Sequence, residues 1–368
     1  MEKDGLFLFI YGKPAFYILP KRRIMAIASI WKDYYVTLGT DDGIIFRIVV
    51  GENTIYTGKS HIRPGETENR IRINDICADY LRNVLPTLSQ AEFNAIELPV
   101  TFSVQKFVVV MDGDPPEWVD VADVQFINDW SYDRSYNAET MGMAFPINGH
   151  IDARQWLVWT GLNVSQVTAD LYYKDGTSSQ VIIPVAISAD FNEDFNSDFA
   201  RSARSAGSGT AVFNLAAWEN LDRIQVNGTT YRVVSDCRRY VLYYVNAYGG
   251  WDSLLIEGNA KETDTITRYT REVEYDNRNV QNRGTQNYAN EIVKSYNLVT
   301  GWLSDEEASR MHHLINSTEV YLYDIITQEM IPVVIPSTSC EYKTYKNNGC
   351  KLVNYSINVD VAHNRVRR

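Results

Sequence analysis

The sequence predicts a mainly β protein, made of two to three antiparallel β-sandwich or barrel-like domains with a few short helices. Three observations carry that expectation. Aromatic residues are abundant, 24 Tyr, 13 Phe and 8 Trp, and with the many Val, Ile and Thr they favour pleated strands over helices. Turn dipeptides stand between apolar runs at Asp42-Gly43, Asp175-Gly176 and Asn227-Gly228; such pairs reverse strands tightly because glycine accepts positive φ. The chain has 368 residues, more than one hydrophobic core ordinarily spans, so several units are expected.

The first unit is assigned to residues 1–140. GLFLFIYG at 5–12 is apolar, but an acid precedes it, it is far too short to cross a bilayer, and no small-residue cleavage site follows, so neither signal peptide nor membrane span is expected. From Arg23 to Lys59 the runs IMAIASIW, YYVTLG, IIFRIVV and TIYTG, with Asp42-Gly43 between the second and third, predict a β-meander. INDICADYLRNVLP predicts a short helix over 74–85 laid on a sheet. Asn74 is its expected N-cap, Ile76, Tyr80, Leu81 and Val84 share a face, and Pro86 closes it. LPVTFSVQKFVVVMDG returns to strand, its valine-rich text requiring two covered faces or a tight neighbour.

The middle unit, 141–258, reads as a β-sandwich of successive strand pairs, two of them joined by Asp175-Gly176 and Asn227-Gly228. Residues 200–211, ARSARSAGSGTA, are small and polar without an apolar period, and predict an exposed, mobile loop or hinge. The C-terminal unit, 259–368, opens with the alternating strand TITRYTREVEYDN, followed by a long polar loop, NRNVQNRGTQNY, of a length that suits a contact surface. A helix is predicted over 304–315. Ser304 and Glu307 form a capping box, Leu303 can staple onto Ala308, and Ala308, Met311 and Ile315 make its apolar face. Strands then run to a basic tail at Arg365, Arg367 and Arg368. No repeat of fixed period is present.

Composition narrows the function. Apolar content of 45% and charged content of 22% describe a folded globular chain. A net charge of −11 offers no positive field for a phosphate backbone, so no nucleic-acid specificity is expected. Cys77, Cys237, Cys340 and Cys350 lack CxxC spacing and read as free thiols, with a Cys340–Cys350 disulfide as an option. Asp190, Asn192, Asp194 and Asn196 copy the odd-numbered ligands of a calcium loop, but Phe195 stands where the sharp turn needs Gly and Arg201 where the bidentate Glu belongs. His312 and His313 are adjacent, so on a helix they cannot share one ion, and His61, His150 and His363 read as solvated. Gly207 and Gly209 begin a GxGxx pattern that Val212 breaks. There is no GxSxG elbow, and the acids Asp112, Asp114 and Glu117 read as the rim of a proline turn. No metal, no cofactor and no enzymatic activity are expected.

INDICADYL at 73–81, preceded by IYTGKSHIRPG, and YVLYYVNAYGGWDSLLIEG at 240–258 resemble structural proteins of tailed bacteriophages, in particular the crAss-like group that infects Bacteroidetes. The last hundred residues are similar in arrangement to tail-tube and distal-tail modules. This resemblance implies a virion tail component, a hub, adaptor or ring subunit made in the bacterial host cytoplasm. Its partners would be copies of itself, in a hexameric or dodecameric ring, and other phage tail proteins. The residues expected to make contacts are Tyr248, Trp251 and Asp252 in the AYGGWD turn, and Asn279, Gln281, Arg283, Gln286 and Tyr288 in the following loop. Trp251 has an alternative place in the core, with Gly249 and Gly250 making a bend. Two other functions remain open, a carbohydrate-binding module for host glycans and a tail-associated polysaccharide hydrolase; no motif supports the latter.

Overall fold

A computed structural model of the chain describes residues 9–10, 13–14, 27–81, 85–88, 91–94, 100–108, 117–130, 143–184, 207–234, 239–273, 284–336, 352–363 and 365–367. The fold is mainly β, with several sheets and a few short helices. In chain order the N-terminal strands are β1 (Phe9–Ile10), β2 (Lys13–Pro14), β3 (Ile27–Ser29), β4 (Tyr35–Gly39), β5 (Ile44–Val50), β6 (Asn53–Ser60) and β7 (Asn69–Arg72). Helix α1 (Asn74–Ala78) and strands β8 (Glu92–Asn94), β9 (Val100–Val108) and β10 (Glu117–Ile127) follow.

A five-stranded sheet, ordered β3-β10-β9-β5-β6, forms the base of the first unit. The predicted meander is corrected at Asp42-Gly43. Gly43 does turn at φ +70, but β4 leaves to pair with β7 while β5 pairs with β6 and β9. The reason is burial: Val36 and Leu38 of β4, with Ile71 of β7 and Cys77 of α1, cap the inner side chains Phe46, Ile48, Phe102, Val104 and Phe126 of the larger sheet. One sheet would have left that face in water. Helix α1 is shorter than predicted. Ile73 takes the N-cap position without a side-chain bond, and Asn74 lies inside the first turn; residues 82–84 lie outside the described residues.

The middle strands are β11 (His150–Asp152), β12 (Trp156–Val164), β13 (Gln166–Tyr173), β14 (Ser178–Pro184), β15 (Gly207–Asn214), β16 (Leu221–Val226) and β17 (Thr229–Val234). Sheets β11-β17-β16-β13-β14 and β12-β15-β8 enclose one core of Leu157, Trp159, Leu171, Phe213, Ile224 and Tyr231. Both dipeptide hairpins form. Asn227 (φ 43) and Gly228 (φ +90) connect β16 to β17, and Gly176 (φ +87) turns β13 into β14. Two ladders, β3–β10 and β11–β17, are parallel where antiparallel pairing is predicted. Residues 207–211 are also corrected, from loop to strand. Thr210 and Ala211 are buried, and the small residues are there because Ala211 sits opposite Trp159 and Gly209 opposite Gly161. The Trp159 ring covers Gly161 so closely that a Cβ there would meet it at 2.5 Å.

The remaining strands are β18 (Tyr240–Val245), β19 (Trp251–Leu255), β20 (Ala260–Glu272), β21 (Thr285–Val299), β22 (Val320–Asp324), β23 (Glu329–Val334), β24 (Ser356–Val361) and β25 (Arg365–Arg367), with helices α2 (Asp305–Ser309) and α3 (Met311–Ile315) between β21 and β22. They form an eight-stranded sheet ordered β19-β18-β22-β23-β24-β21-β20, with β25 also on β21. Ser304 caps α2 in the predicted box: its side chain accepts from the Glu307 N–H while Glu307 accepts from the Ser304 N–H at 2.8 Å. The predicted single helix is interrupted at Arg310. Ala308, Met311 and Leu314 lie on the sheet against Leu242, Tyr244, Leu298 and Leu322.

Pairing crosses the unit boundaries drawn from sequence. β8, from the first unit, joins the sheet of β12 and β15. β18 and β19, from the middle unit, belong to the C-terminal sheet. Every residue of β18 is buried, because the α2–α3 helices cover one face and Val158, with Trp156, Leu85 and Leu88, the other. Its unbroken apolar text, YVLYYV, is what two covered faces require.

Candidate functional site

The AYGGWD turn is corrected first: the structure places it in the interior. Tyr248, Trp251 and Asp252 are all buried, Asp252 to 1% exposure, so none of the three offers a contact surface. Asn246 organises them. Its side-chain oxygen accepts from the N–H groups of Tyr248 (2.9 Å) and Gly250 (3.1 Å), and its amide donates to Asp252 (2.6 Å) and to the Met143 carbonyl. The Phe145 N–H donates to the Asp252 carboxyl at 2.9 Å, and the Trp251 N–H donates to the Thr160 hydroxyl at 3.2 Å. Gly249 turns at φ +84, and Gly250 lies so close to Met143 that a Cβ would stand 2.6 Å from that residue's Cβ.

Two buried titratable groups share this knot. Burial pushes the Asp252 carboxyl up to about 7, opposed by the hydrogen bonds from Asn246 and the Phe145 N–H. Burial holds the His313 imidazole down at about 3, helped by His312 and Arg310. Its Nδ1 accepts from the Ala247 N–H at 3.0 Å, and rings of Trp130, Phe145, Tyr248 and His312 surround it. The Arg310 guanidinium lies 4.9 Å over the Phe145 ring and donates to the Pro146 carbonyl. Both groups are sealed from solvent, so the knot joins segments and presents no reacting atom to a substrate. The sequence holds one signal for it, the glycine pair; Asn246, Phe145 and His313 come together only through the fold.

His150, expected to be solvated, meets Glu257 at 2.6 Å and is half-buried, and this bond raises its pKa. Glu257 also lines a cleft of about 280 Å³ with Asn259, Thr300, Gly301, Trp302 and Asn354. Trp302 stands at its rim, 67% exposed. Among the described residues no group of three or more His, Cys, Asp and Glu side chains is placed to hold a metal ion, and no helix is long and apolar enough to cross a membrane. The calcium-like string at 190–201, Asp112 and Asp114, and Cys237, Cys340 and Cys350 lie outside the described residues.

The exposed surface lies elsewhere, on the β20–β21 hairpin. Asn279, Gln281 and Arg283 fall outside the described residues, and Gln286 and Tyr288, predicted in a loop, are strand residues of β21. Polar pairs across the ladder hold this ribbon where the usual apolar alternation is missing: Arg271 donates to Gln286 at 3.3 Å, Tyr269 to Glu291 at 2.9 Å, and Lys294 pairs with Glu262. Each of the 13 residues of β20 is exposed. Ile266 (45%), Tyr269 and Tyr288 (56%) add apolar area. Among the described residues no strand pairs with the outer edge of β20, whereas β19, at the other end of the sheet, is wholly buried.

Compared with protein-family models, curated proteins and solved structures, the chain matches none.

Proposed function

We propose that this chain is a structural component of a tailed-phage virion, a tail hub, adaptor or ring subunit that works by binding other polypeptides. One observation carries the assembly part of the reading: β20 is a 13-residue edge strand exposed along its whole length, more than twice the ordinary strand length. Soluble monomers cover, shorten or break such edges, because free N–H and C=O groups recruit another strand. Here the edge is long and carries the exposed Tyr269, with the exposed Tyr288 beside it on β21, a residue type enriched at protein contacts. The tail assignment is supported by the likeness of residues 73–81 and 240–258 to phage structural proteins. Native mass measurement with negative-stain microscopy tests the reading: hexameric or dodecameric rings are expected, and a clean monomer at high concentration with tail partners present overturns it.

A second reading, host-glycan adsorption, is favoured by Trp302, whose exposed ring borders a cleft with the polar side chains Glu257, Asn259 and Asn354. Aromatic faces stack on sugars while amides and carboxylates bond their hydroxyls. Glycan-array binding that disappears in Trp302→Ala is its expected signature, and an array without binding removes it.

A further inference from the structure

We propose that the free edge of β20 is a homotypic docking edge, on which Thr263–Tyr269 of one copy pairs antiparallel with the same residues of a second copy about a two-fold axis at Ile266. The inference rests on the assembly reading above and names its partner: a two-fold contact closes on two copies, so in a dodecamer it would join two six-membered rings, whose own contacts lie elsewhere.

The first reason is the residue order. Around Ile266 the text Asp264-Thr265-Ile266-Thr267-Arg268 reads the same in both directions except that acid on one side is answered by base on the other, and Thr263 and Tyr269 flank it. Antiparallel pairing about a two-fold axis normal to the sheet keeps each side chain on its own face, so a residue must meet either itself or a residue an even number of positions away. Centred on Ile266, that rule sets Thr265 against Thr267, Thr263 against Tyr269, and Asp264 against Arg268, each twice. Opposite charges directly across a ladder stabilise it. Shifting the centre to Thr267 sets Asp264 against Thr270, and shifting it to Thr265 sets Asp264 against Ile266; neither keeps the Asp264–Arg268 match.

The second reason is what the hairpin leaves unfilled. Arg268 has no hydrogen-bond or ion-pair partner among the described residues. Asp264 faces Lys294 across the β20–β21 ladder, so a partner Arg268 on the open side would place the carboxylate between two cations. Ile266 faces Ile292 on β21, and both are partly or fully accessible. Pairing two copies brings Ile266 and Ile292 of each onto one face, a four-isoleucine patch that neither copy makes alone.

The third reason is charge and shape. The chain carries −11, which makes most of its surface repel a second copy. β20 does not: Lys261, Arg268 and Arg271 balance Glu262, Asp264 and Glu272. The strand holds no proline, and its single register shift lies between Tyr269 and Thr270. The regular stretch, 260–269, contains the whole of the Asp264–Arg268 match. Of the other edge strands, β14 is closed by Pro184 and β6 is eight residues long.

The test uses the full chain with Ile266→Cys, an exposed position whose substitution leaves the core untouched. Mild oxidation by copper-phenanthroline and air is expected to give a reducible dimer on non-reducing gels, because residues facing themselves across a ladder stand about 5.5 Å apart at Cα, within disulfide reach; the wild-type chain with its own four cysteines is the control. Asp264→Arg and Arg268→Asp, each confirmed folded by circular dichroism, are expected to weaken association about tenfold or more, and the double exchange to restore it. Oligomers that persist unchanged in both single variants, with I266C uncrosslinked, overturn this pairing and leave the assembly reading standing. A chain that stays monomeric by native mass at high concentration with tail partners present, with or without I266C, overturns both.

Discussion

Asp252 and His313 titrate in opposite senses inside one buried knot. Unfolded, the Asp252 carboxyl ionises near 3.8 and folded near 7, so between those values the folded state holds one proton more and stability falls as pH rises. His313 ionises near 6.5 unfolded and about 3 folded, so between those values the unfolded state holds one proton more and stability rises with pH. From about 4 to 6.5 the two slopes cancel. Below that window His313 alone remains and acid destabilises; above 6.5 Asp252 and His150, whose pKa Glu257 raises, both make stability fall as pH rises. Asp252→Asn is therefore expected to expose the His313 slope, about 1.4 kcal/mol per pH unit, between pH 4.5 and 6.5 in urea titrations. A flat profile in that variant would remove His313 from the account. At Gly250 the added Cβ of Ala would press on Met143, and a loss of about 1–3 kcal/mol is expected by the same titrations. Cys77 is a third isolated group. Burial pushes its thiol up to about 12, so peptide mapping after alkylation should find it unmodified until denaturant is added.

At the scale of elements, the signals that were legible in the text are local ones. Asn227-Gly228 and Asp175-Gly176 need only a few neighbouring residues to set their turns, and the Ser304–Glu307 box needs four. Gly228→Ala is expected to cost about 1–2 kcal/mol, since φ +90 lies where a Cβ is crowded, and Ser304→Ala about 1 kcal/mol; midpoints of chemical unfolding check both. What the text hides are choices among partners. Nothing near Asp42-Gly43 says that the two flanking strands enter different sheets, because that choice is made by the need to cover Phe46, Phe102 and Phe126. The small residues 207–211 look like a linker until Trp159 is set against them. Gln286 and Tyr288 look like loop because their strand is held by polar pairs across the ladder. The candidate surface was legible as a polar, contact-making segment but not as an edge strand, and the turn offered beside it is interior.

At the scale of the molecule, the boundary at residue 258 does not divide independent bodies. Tyr243 donates to the Trp156 carbonyl at 2.7 Å, the Phe145 N–H reaches Asp252, and Thr160 accepts from Trp251, so the sheet of β18 and β19 is bonded to the segment that precedes it. The middle and C-terminal sheets are expected to unfold in one calorimetric transition whose van't Hoff and measured enthalpies agree, and Asp252→Ala to broaden or split it. β18 gives this arrangement a consequence during synthesis. Its neighbour β19 follows at once, but β22 follows about 75 residues later, the gap between Val245 and Val320, which takes roughly 4–15 s at ribosomal speed. Through that interval Tyr240–Val245 waits at the tunnel mouth with one ladder unmade and its apolar faces bare, a nascent segment for chaperones to shelter until the missing strand is translated.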